Sequence, residues 1–293
     1  MSAALTKPIK WHGGKQYLAK RILAEMPPRC KNPNKPASND SGWLHYVEPY
    51  FGGGSVLLAQ DPDGISEVVN DLNRGLINFW KVLRDESLFE RFKRANDSMP
   101  FSKEDYDKAS AICGTAAFNA SSDQGKVLLA LDFFVACRQS MAGRMDCFAP
   151  LTRNRTRRGM NEQASAWLNA IEGLPAVHER LKRVVILNDH ALTVIKQQDG
   201  PRTFFYLDPP YVHGTRETTG EYAHEMTDQD HADLLALLQT IEGRFILSGY
   251  PNDLYNQHAE AFGWRRVDIK IDNKASSKKS KDKETECLWM NYS

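Results

Sequence analysis

The sequence predicts an α/β fold: a sheet built from βα units, interrupted by one helical insertion and closed by a C-terminal β-hairpin. Three observations carry this. Over residues 1–84 short apolar runs alternate with amphipathic stretches; over 85–183 helical periodicity dominates; and from Val184 strand-like runs resume, each ending in polar, Gly or Pro residues. The expected division is a sheet domain made of 1–84 with 184–293, and an inserted domain over 85–183.

Lys15 to Glu25 reads as an amphipathic helix. The stretch Lys31-Asn32-Pro33-Asn34-Lys35-Pro36 cannot hold regular structure, so Cys30 to Gly42 reads as a loop. Tyr46-Val47 and Glu67 to Asn70 are the first strands. In the insertion, Ser102 to Ile112, Gln124 to Cys137 and a run through Trp167 to Leu181 are helical. Val184 to Leu187, Thr203 to Leu207 and Phe245 to Ser248 are strands again. Between the last two, Thr227-Asp228-Gln229-Asp230 has the spacing of a capping box ahead of an apolar face made by Leu234, Leu235, Leu237 and Leu238. Val267 to Ile271 and Cys287 to Tyr292 flank a lysine-rich stretch, Lys274 to Lys283, as a long-looped hairpin.

Composition narrows the function classes. The five cysteines are scattered and show no Cys-x-x-Cys spacing, so neither a metal site nor a disulfide framework is expected, and a reducing cytoplasm is. Met1 to Lys10 has no apolar run of the kind a signal sequence needs, and the most apolar stretch, Val127 to Cys137, is broken by Asp132, so no membrane partner is expected. The formal charge of +1 is unevenly placed: Arg138, Arg144, Arg153, Arg155, Arg157 and Arg158 face a single acid, Asp146, within one stretch. A run of this kind is either a solvated surface or a phosphate-binding one.

Glu48-Pro49-Tyr50-Phe51-Gly52-Gly53-Gly54-Ser55 sits where a strand turns into the helix-compatible Val56 to Ala59. Ligands of α/β sheets bind at the carboxyl ends of strands, and glycines let the backbone approach them closely. Asn70-Asp71 ends the next strand, where a carboxylate can accept from ribose hydroxyls. The loop is neither the Gly-x-Gly-x-x-Gly of dinucleotide binders nor a phosphate loop, so a phosphate-free nucleoside fits better than a pyrophosphate. The competing reading is a tight turn with a solvated Asp.

Asp208-Pro209-Pro210-Tyr211 ends the apolar strand at the same sheet edge. Two prolines fix the backbone and supply no N–H, so the Asp208 carboxylate and Pro209 carbonyl form a preorganised pair of acceptors. Two acceptors match an exocyclic NH2 group such as that of adenine. Tyr211 offers a face for stacking, and the alternative is a rigid turn whose Tyr packs in the core.

These motifs resemble the Dam-like family of DNA adenine-N6 methyltransferases, in particular its phage and mobile-element branch. The resemblance spans nearly the whole chain: Lys10-Trp11-His12-Gly13-Gly14-Lys15, Glu48 to Gly54, Asn70-Asp71, Asp208 to Tyr211 and Glu286-Cys287-Leu288-Trp289, in the family's order. It implies a Rossmann-like methyltransferase sheet, a target-recognition role for the helical insertion, S-adenosyl-L-methionine as cofactor, and cofactor contacts at Trp11, Lys15, Asp71 and Asp208. With them go Glu48, Pro49, Phe51, Gly52 and Gly54 of the glycine loop. Lys15 could pair with the cofactor's carboxylate and Asp189 accept from its adenine, against the readings of a solvated lysine and a helix N-cap.

The reaction so implied is direct in-line methylation of a flipped adenine in double-stranded DNA, by a monomer without an obligatory protein partner, in a bacterial or phage-infected cell. All six arginines are expected on DNA, some neutralising phosphates and one or two reading guanine edges, while Val212 to Ala223 closes over the flipped base. Family members tend to carry a Gly-x-Phe-Asn-x-Pro-like segment where this chain has Met145-Asp146-Cys147-Phe148-Ala149-Pro150, so a GATC target is not carried over. Rival functions are an amino-methyltransferase acting on cytosine N4, RNA or a glutamine side chain, and a catalytically silent DNA-binding protein. The first rivals resemble Ser-Pro-Pro-Tyr or Asn-Pro-Pro-Tyr rather than a charged Asp208, and intact Lys15, Asp71 and Asp208 argue against the last.

Overall fold

The computed structural model describes residues 5, 7–11, 13–31, 42–114, 120–212, 225–272 and 283–293. The chain divides into two compact units: Met1–Glu25, Phe51–Asp63 and Asn73–Asn188 form one, and Met26–Tyr50, Gly64–Leu72 and Asp189–Ser293 the other.

The first unit is mainly helical, with α1 (Ala19–Glu25), α2 (Arg74–Arg84), α3 (Glu86–Asp97), α4 (Lys103–Cys113), α5 (Asp123–Gln139) and α6 (Glu162–Leu181). Helices α2 to α6 each start on a side chain that accepts from their first turn: Asn73, Asp85, Ser102, Ser122 and Asn161. A cap of this kind is worth about 1 kcal/mol. The apolar faces meet in an aromatic core, where Phe79 of α2 stacks on Phe134 of α5 at 5.9 Å, Phe92 of α3 meets both edge-on, and Trp167 of α6 lies 5.1 Å from Phe134. That packing sets α2 against α3, α5 and α6, an association its own amphipathic pattern could not specify. Before α6 a small hairpin pairs β3 (Thr156–Arg157) with β4 (Met160–Asn161). Its turn, Arg158-Gly159, has φ of 54° and 73°, the two positive angles of a type I′ connection. The strand β5 (Val184–Leu187) follows α6, and Arg84 of α2 donates to the Val184 carbonyl at 3.1 Å.

The second unit holds β1 (His45–Glu48), β2 (Ser66–Asn70), α7 (Ala191–Gln198), β6 (Thr203–Leu207), α8 (Asp228–Leu238), β7 (Arg244–Gly249), α9 (Asp253–Phe262), β8 (Arg265–Asp272) and β9 (Lys283–Met290). Its strands lie in the order β2, β1, β6, β7, β9, β8. The first four are parallel, with Val47 opposite Val68 and Phe205, and Leu207 opposite Leu247. β9 runs antiparallel to β7 and to β8, so the expected C-terminal hairpin closes the sheet. Every residue of β6 is buried, as a continuous apolar run in a parallel sheet requires. The Thr227 and Asp230 side chains form the expected capping box of α8.

Two elements are shorter than their sequence pattern. α1 begins at Ala19 rather than Lys15, because Lys15 is buried and its carbonyl closes a tight turn with the Leu18 N–H. After the glycine loop only a 3-10 turn forms, Leu57–Ala59, since Asp61-Pro62-Asp63-Gly64 stops the chain on the way to β2. The loop within Cys30 to Gly42, the lysine-rich stretch and the segment after Val212 fall largely at 32–41, 273–282 and 213–224, outside the described residues. Among the described residues no helix is long and apolar enough to cross a membrane.

Candidate active site

Parallel pairing brings the carboxyl ends of β1, β2, β6 and β7 to one edge of the second unit, and with them Pro49, Asp71, Asp208 and Tyr250. Asn70, buried at the end of β2, ties this edge together. Its Nδ2 donates to the carbonyls of Pro49 and Asp189, both at 3.0 Å, and its Oδ1 accepts from the Asp189 N–H at 2.9 Å. Asp189 is exposed, its carboxylate accepting from the His190 N–H at the start of α7. Glu48 is buried and accepts from the Tyr46 hydroxyl at 2.6 Å, two residues earlier on the same face of β1. Asp71 is half-buried at its strand end.

The Asp208 to Tyr211 turn is held from its far end. Tyr211 is only 7 % exposed, and its hydroxyl donates to both carboxylate oxygens of the buried Glu286 on β9, at 2.8 and 3.0 Å. Ser248 of β7 donates to the same carboxylate at 2.7 Å, and the Tyr211 ring leans on Tyr250 at 4.5 Å. With Tyr211 so fixed, the Pro-Pro backbone leaves Asp208 half-buried at the strand end. Burial first, then the charge of Asp208, raises the Tyr206 phenol well above its ordinary range, which puts that charge close to the floor of the site.

In the first unit, the glycines of Phe51–Gly54 are explained by what lies on them. A Cβ on Gly52 would stand 2.8 Å from Trp11 Nε1, and one on Gly53 2.7 Å from Trp11 Cβ. Trp80 donates to the Gly52 carbonyl at 3.1 Å, and its ring supports Phe51 at 5.0 Å. Lys15 is buried, its ammonium donating to the Gly13 carbonyl at 3.2 Å.

The six arginines divide. Arg138 turns inward, donating to the Ala166 carbonyl at 2.8 Å, and burial pulls its guanidinium down to about 10. Arg158 reaches from the hairpin turn to Asn169 and Glu172 of α6 at 2.6 to 3.1 Å. Arg144, Arg153, Arg155 and Arg157 are exposed. The segment carrying Arg144 is itself anchored: Phe148 packs on Phe101 and Tyr106, and the Met145 carbonyl accepts from Ser110. Among the described residues no His, Cys, Asp or Glu cluster is placed to hold a metal.

Residues 11–275 match the family described as D12 class N6 adenine-specific DNA methyltransferase. The chain belongs to that family. It is also 24 % identical to the Type II methyltransferase M.MjaIII of Methanocaldococcus jannaschii, with 97 % of this chain and 98 % of that protein covered. The D12-class match includes both Trp11 and Asp208, and the α/β organisation with a mostly parallel sheet is the one that resemblance implied. DNA is thus the substrate class of this methyltransferase family.

Sequence reasoning misses two contributors to this candidate site. In the sequence Asn70 stands only as the neighbour of Asp71, yet it sets the positions of Pro49 and Asp189. Glu286 is there one letter of a tail motif; the signal is an acid beside the apolar run Cys287-Leu288-Trp289-Met290, which only a buried partner could justify.

Proposed function

We propose that this chain transfers a methyl group from S-adenosylmethionine to the N6 amine of adenine in double-stranded DNA. The observation that carries this reading is the Asp208 carboxylate, half-buried at the end of β6 in the row of parallel strand ends that includes Pro49 and Asp71. An amine conjugated with a purine ring is a poor nucleophile. The Asp208 carboxylate and Pro209 carbonyl accept its two hydrogens and localise its lone pair toward the incoming methyl. The proton that the amine sheds leaves through Asp208 to solvent. Tyr211 fixes the turn through Glu286, and with Pro210 limits the poses open to a base flipped from the duplex.

The donor supplies a sulfonium methyl when bound, and the residues present suit a nucleoside of that kind. Asp71 offers a carboxylate to ribose hydroxyls, and Asp189 an acceptor for the adenine amine. Trp11, Lys15, Glu48, Pro49, Phe51, Gly52 and Gly54 complete the holding set, Glu48 being fixed by the Tyr46 hydroxyl. DNA contacts fall to the exposed Arg144, Arg153, Arg155 and Arg157, of which Arg155 lies 3.9 Å from Glu162, while Arg138 turns inward to the Ala166 carbonyl and Arg158 is held at the surface by Asn169 and Glu172. The chain acts as a monomer. Nucleoside mass spectrometry of duplex DNA incubated with protein and S-adenosylmethionine tests the reading: N6-methyladenine is expected, and methyl on cytosine or on neither base overturns it.

A further inference from the structure

The strand β6 is a buried run, Thr203-Phe204-Phe205-Tyr206-Leu207, in which a Phe at 206 would fill the space as well as the Tyr does. The Tyr206 hydroxyl is nevertheless there, buried, and among the described residues it has no hydrogen-bond partner. Such a group costs free energy, so its place in the sheet calls for a reason. Acceptors surround it. The pairing of Val47 with Phe205 sets Glu48 beside Tyr206, and that of Leu207 with Leu247 sets Ser248 beside Asp208. Glu48 already accepts from Tyr46, and Glu286 from Tyr211 and Ser248. Asp208 is the acceptor on Tyr206's own strand, two residues on and on the same face. The neighbouring strand shows what that step does: Tyr46 donates to Glu48 across it at 2.6 Å. Asp is one methylene shorter than Glu, and on β6 the same step stops short of the contact.

We propose that Tyr206 is a positioning residue for the transfer step, its hydroxyl closing onto the Asp208 carboxylate oxygen that faces the sheet as the base engages, so that the other oxygen is presented to the amine. The inference rests on the adenine reading above and adds the group that orients its acceptor. Burial first, then the charge of Asp208 and after it those of Glu286 and Glu48, keep the phenol protonated, so toward Asp208 it acts as a donor. A donor on one oxygen holds the carboxylate in one orientation and weakens its grip on a proton. The proton taken from the amine then passes on to solvent more readily.

The test is the pH profile of methyl transfer to plasmid DNA by the full chain, paired with denaturant unfolding. Tyr206→Phe is expected to lower kcat about tenfold while leaving KM for S-adenosylmethionine and for DNA within about twofold. The acid midpoint of kcat should move up by about one pH unit, since a carboxylate deprived of a donor holds its proton more tightly. Stability should be unchanged or higher, because the hydroxyl has no partner before the base engages. Ser248→Ala removes a donor from Glu286 instead, and is expected to lower stability and leave the acid midpoint in place. A loss of stability in Tyr206→Phe with the midpoint unmoved means that the hydroxyl serves Ser248 and Glu286 within the sheet, and overturns the assignment. An unchanged kcat in Tyr206→Phe, or an equal midpoint shift in Ser248→Ala, overturns it as well. A wild-type chain that leaves adenine unmethylated refutes the adenine reading itself, a result distinct from an active wild type whose Tyr206→Phe variant matches it.

Discussion

The Tyr211 hydroxyl donates to both carboxylate oxygens of Glu286, 75 residues further along the chain. A buried carboxylate is tolerated only where its oxygens are satisfied, and here Tyr211 and Ser248 satisfy them together. The anchor of the turn and the stability of the hairpin strand are therefore one network.

Tyr211→Phe removes one donor from that network and leaves the carboxylate leaning on Ser248. We expect a loss of about 1–3 kcal/mol in stability by denaturant unfolding, together with a fall in kcat larger than any change in cofactor affinity. Normal stability in Tyr211→Phe would mean that the network does not hold the turn.

Asp208→Ala is expected to abolish transfer, by about a hundredfold or more, without unfolding the chain, because Asp208 is half-buried at a strand end and not in the core. Turnover near that of the wild type would refute the acceptor role, and the melting curve separates loss of fold from loss of chemistry.

Gly53→Ala drives a methyl to within 2.7 Å of the Trp11 Cβ. Overpacking of this kind costs about 1–3 kcal/mol, and here it should also displace Trp11 and weaken cofactor binding. Since the collision is with Cβ, Trp11→Ala does not relieve it: the double variant should be no better than Gly53→Ala alone. Recovery in the double variant would move the collision to the indole.

Lys10 provides a pH test of the N-terminal segment. Burial first and the Arg138 charge second bring its ammonium down to about 8, from an ordinary 10.5. Between those values the unfolded chain binds more protons than the folded one, so this group's contribution to stability rises with pH; it is complete above the unfolded value and lost as pH falls through about 8. Cys113, Cys137 and Cys287, whose thiols burial raises, oppose the trend above their ordinary 9.0, and buried tyrosines such as Tyr46 above 10.0, which leaves the window from about 8 to 9. Lys10→Met should flatten the rise of melting temperature across that window; an unchanged slope would refute the burial of the charge.

The strand ends were legible because buried parallel strands are apolar runs, and what stops them here is Gly, Pro or Asp: Glu48 to Gly54, Asn70-Asp71 and Asp208 to Tyr211 all announce themselves in this way. The home of α2 was not. Its pattern specifies a helix with an apolar face but not which face it meets, and Phe79 on Phe134 is a tertiary fact. Glu286 could be seen as an oddity, yet its reason, Tyr211, lies across the second unit's sheet. The arginines show the same limit. Arg138 and Arg155 are identical letters in one basic stretch, and a carbonyl on α6 draws only the first inward.

That division makes the arginines the most discriminating test of the DNA interface. Arg155 and Arg157 flank Thr156 on the β3–β4 hairpin and are exposed, so replacing both by Ala should lower duplex affinity and reduce the slope of log affinity against log salt by about 2, roughly 0.9 for each phosphate that is no longer neutralised. Arg158→Ala acts differently. Its guanidinium is held by Glu172, and its backbone sits at φ 54°, so the substitution should loosen the hairpin and lower the melting temperature while leaving the salt slope within about 0.5 of the parent. Fluorescence anisotropy over a salt series separates the two. If Arg158→Ala reduces the slope as much as the Arg155 and Arg157 pair does, Arg158 leaves Glu172 for a phosphate on binding, and the hairpin turn joins the DNA-contacting surface.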